Sequence, residues 1–530
     1  MTPVKDTQIS GSQDIGGRIV GVIEIGTTSI RMMVAQVDDA GSIHVLESLQ
    51  QSVAIGKDTF TKGSIDSSTT EECVVALKSY KGILSEYHVT DAKNLTAVAT
   101  SAVREASNCE AFLDRVFIAT GINVQAIDHT ELSRFTYLAV APMVLGNKVL
   151  AESDVLVSEV GGGSTEVLML RKGKVESGHN FRLGSYRLRK MLDESRAPLA
   201  KQKEILTSHV KRVTEQIYSV ISPGEDIKLL FLGSEARFAA ACLSPSWDKK
   251  DLVKLEVSAL SGLVDKLAKM PIEEIVNRHH ISFAEAETMA PALLTCLHMA
   301  QQYKNKVVYV CTANVRTGIL VEMTSKDSWG DIFKQQIVNS ALEIGKKYSF
   351  DQNHAEHVAE ICRKLFVVMK DEHKLDARYE LILNIAALLH DIGAVVNNRS
   401  HHKHSMYLIL NSDIFGLSSK DLLLTAMVAR YHRRSPPKPA HLEFNDMDRD
   451  DKIIVLKLAA LLRVADALDR GHVQTRQDID FKMEKGRMVI NAKGAGDLTL
   501  ERYGIREKGN LFEQIYGMKI FLESLYEDNK

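Results

Sequence analysis

Two segments constrain this chain more than any other part of it. RIVGVIEIGTTSIRMMVAQV (18–37) and DVLVSEVGGGSTEVLML (154–170) are each an apolar, β-branched run, a small turn of glycine and hydroxyl residues, and a second apolar run. Apolar runs broken by such a turn predict hairpins. Each has an acidic residue two positions before its first turn glycine: Glu24 before Gly26, and Glu159 before Gly161. Either alone is an ordinary turn. Together they predict one design used twice, strand–turn–strand in two α/β lobes, with helices and strands such as NLTAVAT and INVQAID between them.

The turns carry chemistry. Backbone N–H groups in a glycine turn can point at phosphate oxygens with no side chain in the way. Gly26, Thr27, Thr28 and Ser29 form one such turn, and Gly161, Gly162, Gly163, Ser164 and Thr165 the other, with hydroxyls as further donors. Glu24 and Glu159 would repel a bare phosphate, so their expected role is to hold Mg²⁺ through water.

From about residue 330 the character changes. Strand patterns give way to amphipathic helices, and ten of the eighteen histidines lie between His354 and His472. LILNIAALLHDIGAVV and IIVLKLAALLRVADALDR are apolar helices that nonetheless carry His390-Asp391 and Asp466. Unpaired polar groups there cost several kcal/mol. Shared coordination of one divalent metal by His354, His390, Asp391 and Asp466 satisfies them together, and their donors suit Mn²⁺, Fe²⁺ or Zn²⁺, with Mg²⁺ also admissible. A cationic cluster that includes His402, Lys403, His404, Arg430, His432, Arg433 and Arg434 reads as a track for a long polyanion. Polyphosphate fits it better than nucleic acid, because no aromatics interleave to stack on bases. DFKMEKGRMVINAKGAGDLTLERYGI alternates like a strand pair, and a last helix is expected over FEQIYGMKIFLESLY.

Composition sets outer limits. A chain of 530 residues is too long for one core. Net charge is −2, so attraction to phosphate must be local. The six scattered cysteines form no CxxC pair, which fits a reducing, cytoplasmic setting. The first seventeen residues read as a polar tail, and no apolar run is long enough for a membrane span.

VGVIEIGTTSIRMMVAQV resembles the first phosphate loop of the exopolyphosphatase and guanosine pentaphosphate phosphohydrolase family, within the actin, sugar-kinase and heat-shock-ATPase fold. ATSAVREASN (99–108), VSEVGGGSTEVLML, FRLGSYRL (181–188), FLGSEAR (231–237) and NVRTGIL (314–320) resemble its later signatures in order. The H…HD…D spacing resembles the HD phosphohydrolase superfamily, whose pattern prefers His354 over His357. The resemblance implies two actin-like (ribonuclease H-like) α/β lobes, 18–145 and 146–325. An all-α HD-type domain with a small C-terminal β/α extension follows over 326–530, the linker lying near 324–331. It also implies Arg104 and Arg134 as cleft cations, hydrolysis of a terminal phosphate from polyphosphate or guanosine pentaphosphate, and a homodimer. No adenine-site signature is present to suggest a kinase.

The chain departs from the pattern at three places. Glu24 and Glu159 stand where the family has aspartate. Leu132 stands where the family has the glutamate taken to activate water, just before Ser133-Arg134. Glu131 is adjacent, but successive helical residues point about 100° apart. Two expectations follow: Glu131 is recruited as the base, or the cleft binds its phosphate ligand as a sensor, with any phosphohydrolase activity in the HD metal site.

Overall fold

The computed structural model describes residues 17–38, 41–221, 227–249, 252–324, 331–433, 435–438, 441–471, 478–493 and 498–525. The expected tail (1–16), most of the expected linker (325–330) and Arg434 lie outside the described residues.

Both glycine turns close hairpins, and the duplication extends to whole sheets. Strands β1 (Gly17–Ile25), β2 (Ser29–Asp38), β3 (Ile43–Ser52), β4 (Leu95–Ala99) and β5 (Val124–Ala126) form a sheet of order β3-β2-β1-β4-β5. The second sheet contains β6 (Asp154–Val160), β7 (Thr165–Arg171), β8 (Lys174–Phe181), β9 (Lys228–Leu232), β10 (Val253–Glu256) and β11 (Val307–Val310), ordered β10-β11-β9-β6-β7-β8. Read from its far edge, β8-β7-β6-β9-β11 repeats the first sheet. In both, two antiparallel pairings are followed by two parallel ones. Central strands such as β1 and β6 are covered on both faces, which is why they read as unbroken apolar runs.

The helix His129–Gly146 begins with a capping box, in which Asp128 accepts from the Glu131 N–H at 2.8 Å and Glu131 accepts from the Asp128 N–H at 3.1 Å. Helix Val315–Thr324 packs back across it onto the first lobe. A Cβ on Gly318 would stand 1.9 Å from the Phe135 carbonyl oxygen, so this crossing needs glycine.

The C-terminal half is helical from Asp331 to Leu468, as its periodicity predicts. It does not stand apart. One hydrophobic core runs from Tyr137 and Leu168 through Phe333 and Ile337 to Ile385 and Leu461. The end of the chain departs from expectation. The segment around DLTLERYGI is the helix Thr499–Lys508, burying Glu501, Gly504 and Ile505 at helical spacing. The last expected helix stops at Tyr516, where Gly517 adopts a left-handed conformation (φ 67°). KIFLESL is then β14 (Lys519–Leu525), parallel to β13 (Arg487–Lys493), which pairs with β12 (Asp478–Glu484). Among the described residues no helix is long and apolar enough to cross a membrane.

Candidate active site

The two turns face each other. The Gly26 N–H donates to the Ser29 carbonyl at 3.0 Å and the Gly161 N–H to the Ser164 carbonyl at 2.8 Å, so both loops share one internal bond. Each is also tied to its own lobe. Gly56 N–H donates to the Thr27 carbonyl at 2.8 Å, while Ser185 and Tyr186 N–H groups donate to Gly161 and Gly162 at 2.9 and 3.0 Å. A Cβ on Gly162 would lie 2.4 Å from Thr27 Cγ2, and one on Gly163 would lie 2.5 Å from Phe60 Cζ. Between the loops is a cleft of about 100 Å³ lined by Thr27, Thr28, Gly161, Gly162 and Ser164 with Glu24, Glu159, Glu166, Arg31 and Leu132. That suits a phosphate group and little more.

Its charges are buried at Glu24, Glu166 and Arg316 and half-buried at Glu159, Arg237 and Arg31. Glu24 pairs with Arg316. Burial, then the Glu24 charge, pushes the Glu159 carboxyl up to about 7 against the pull of Arg237 and Arg31. Burial also pushes Glu166 up to about 7. Glu166 Oε1 accepts from Ser164 Oγ at 3.3 Å and from Asn180 Nδ2, while its Oε2 is buried with no partner among the described residues. Burial likewise lowers the Arg237 guanidinium. Glu24 and Glu159 line one cavity with oxygen donors only, a set that fits a hard cation such as Mg²⁺.

Several expected residues lie elsewhere. Leu132 lines the cleft, but Glu131 does not, because its carboxylate closes the capping box. Arg104 Nη1 donates to the Ile127 carbonyl at 2.5 Å. Arg134 Nη1 pairs with Glu322 at 2.5 Å, its guanidinium 4.6 Å from the Phe135 ring centre. Arg104 still acts through its charge on Glu166, and the other cations that act on the cleft are Arg31, Arg237 and Arg316. The last two sit inside FLGSEAR and NVRTGIL, and Glu166 directly follows GGGST. Their signal was present in the motifs, but sequence cannot tell which charged residue of a motif turns inward.

A family model described as Ppx/GppA phosphatase family matches residues 33–327, more than half of the chain. The chain belongs to the Ppx/GppA phosphatase family. That membership places it among phosphoanhydride hydrolases. A second model, Ppx/GppA phosphatase domain III, matches residues 338–497, the helical half. Similar proteins include the guanosine-5'-triphosphate,3'-diphosphate pyrophosphatases of Vibrio parahaemolyticus and Vibrio atlanticus. The first is 21% identical, covering 85% of this chain and 88% of the relative. The second is 20% identical, covering 92% and 97%. An exopolyphosphatase structure from Cytophaga hutchinsonii shares the fold, with a TM-score of 0.52 and 20% identity over 58% of this chain and 98% of that one.

In domain III of this Ppx/GppA chain, His354, His390 and Asp391 offer ligand atoms within 4.8 Å of one another. Asp466 is paired with Lys508. His390 Nε2 is buried with no hydrogen-bond partner among the described residues, and this donor set fits a divalent metal. The expected track is only partly superficial. Lys403 and Arg433 are exposed and His402 and His404 half-buried, but Arg430 is buried. His432 is 2% exposed and faces Asp391, so it belongs to the interior cluster and not to a surface path.

Proposed function

We propose that the cleft removes the terminal phosphate of guanosine pentaphosphate or polyphosphate. The observation that carries this is the pair of glycine turns held face to face across a phosphate-sized gap, beside the unpartnered Glu166 oxygen. Turn N–H groups and hydroxyls bind the terminal phosphate's oxygens, and Arg31 offsets their charge. Water attacks phosphorus, its proton passes to Glu166 Oε2, and the P–O bond to the shortened chain breaks. Mg²⁺ held by Glu24 and Glu159 would neutralise charge on the phosphates. Glu166, not Glu131, replaces the base missing at Leu132. Exposed Lys403 and Arg433 would guide a long chain toward the molecule, and their contribution would fall with salt.

Leu132 favours a second reading, a sensor that binds phosphate in the cleft while a metal at His354, His390, Asp391 and Asp466 does any hydrolysis. Phosphate release from guanosine pentaphosphate and from polyphosphate separates the two. Loss in Glu166→Gln with activity kept in Asp391→Ala supports the cleft. Loss only in Asp391→Ala, or binding without release in the unaltered protein, supports the second reading. Which of the two substrates is cleaved identifies the natural class.

A further inference from the structure

Four histidines in domain III are oriented alike. His390, His401 and His432 each place Nδ1 on a backbone carbonyl, of Ala387 at 2.7 Å, Asn398 at 3.0 Å and Ala429 at 2.7 Å. His354 Nδ1 lies 2.6 Å from Asp469 Oδ2. A carbonyl only accepts, so these bonds assign the proton to Nδ1 and leave a lone pair on Nε2. A second partner that fixes the tautomer in this way is the usual support of a metal-ligating histidine.

The Nε2 atoms then converge on one carboxylate. His401 Nε2 lies 3.1 Å and His432 Nε2 3.4 Å from Asp391 Oδ1, and the two nitrogens are 3.2 Å apart. On the other side, His390 Nε2 lies 3.7 Å from Asp391 Oδ2. Neutral rings of this tautomer put acceptor against acceptor at every one of these contacts. A cation among them turns repulsion into coordination. Two such groups exist, His354–His390–Asp391 and Asp391–His401–His432, and they share Asp391.

We infer that domain III binds two divalent cations side by side, with Asp391 bridging them and His401 and His432 holding the second. This rests on the reading of domain III as a metal-binding module and adds a second position to it. Imidazole-rich ligands favour Mn²⁺, Fe²⁺ or Zn²⁺ over Mg²⁺. A basic fringe surrounds the pair. Lys508 reaches Asp466, and Arg430 carries a buried Nε with no partner among the described residues. A phosphate group is the anion such a centre would accept.

The test is metal content of the full chain carrying Glu159→Gln, which removes a ligand of the cleft cation, after loading with Mn²⁺ and dialysis, together with its electron paramagnetic resonance spectrum. The expected result is two equivalents per chain with a spin-coupled spectrum, falling to one equivalent and an isolated-ion spectrum in His401→Asn and in His432→Asn. His401 is the more exposed of the two, so its variant serves if His432→Asn does not fold, as checked by circular dichroism. One equivalent that both variants retain overturns the second cation alone. No bound metal in the Glu159→Gln chain with domain III unaltered overturns the whole reading of domain III, leaving His401 to share a proton with Asp391.

Discussion

Glu159 and Glu166 are carboxyls that burial holds near neutrality, and each should have its own pH signature. A base must be ionised to act, so with Glu166 pushed up to about 7 phosphate release should fall as pH drops through that value. Glu166→Gln should lower kcat by about 10²–10⁴-fold and abolish that limb of the profile. For stability the sign is opposite. Both groups have folded pKa values above the 4.5 of an ordinary glutamate, so between 4.5 and about 7 the native state holds more protons. The urea midpoint should therefore decline as pH rises through that window, and Mg²⁺ should restore part of it above 7 by binding the ionised Glu159. Glu131→Ala tests the capping assignment, because it removes the acceptor for the Asp128 N–H. Turnover should stay close to the unaltered rate while stability falls by about 0.5–1 kcal/mol, read as a lower Tm. A rate loss as large as that of Glu166→Gln would return Glu131 to the role of base. Glu131 and Leu132 were legible as the anomaly in the sequence. That Glu131 turns to the helix terminus was not, because the capping box depends on where the helix starts.

The turns and the helices behind them carry the element-scale constraints. Gly184 precedes the helix Ser185–Ser195, and a Cβ there would lie 2.1 Å from the Gly162 carbonyl oxygen. Gly184→Ala should push the second loop out of register, costing about 1–3 kcal/mol in urea denaturation and most of the phosphate release. Preserved activity would mean the loop tolerates displacement, contrary to the fit described. Hairpin turns were readable because glycine and hydroxyl residues between β-branched runs admit few alternatives. The C-terminus was misread because KIFLESL has both helical and strand-like apolar spacing. Its fate was decided by Gly517 and by the open edge of β13, a partner distant in sequence.

Across the molecule, the cleft and domain III are joined at the start of the helix His129–Gly146. Asp128 Oδ2 accepts from the Ser419 N–H and Oγ, both at 2.8 Å, and Thr130 Oγ1 donates to the Leu417 carbonyl at 2.5 Å. Nearby, Tyr137, Phe333 and Phe415 pack with ring centroids 5.6–6.4 Å apart, tying that helix to the helical half. Phe415→Ala should cost about 3–5 kcal/mol and lower a single unfolding transition seen alike by lobe and domain III probes. Two separate transitions would show that the halves fold independently. The sequence alone determined the repeated strand–turn–strand plan, the helical second half and the kind of chemistry, because periodicity and glycine turns are local properties of the chain. Only tertiary structure decided which carboxylate faces the cleft, which arginines serve it and how His401 and His432 meet Asp391. Those choices depend on contacts between elements far apart in sequence, where burial and the available partners, not local pattern, set each side chain's role.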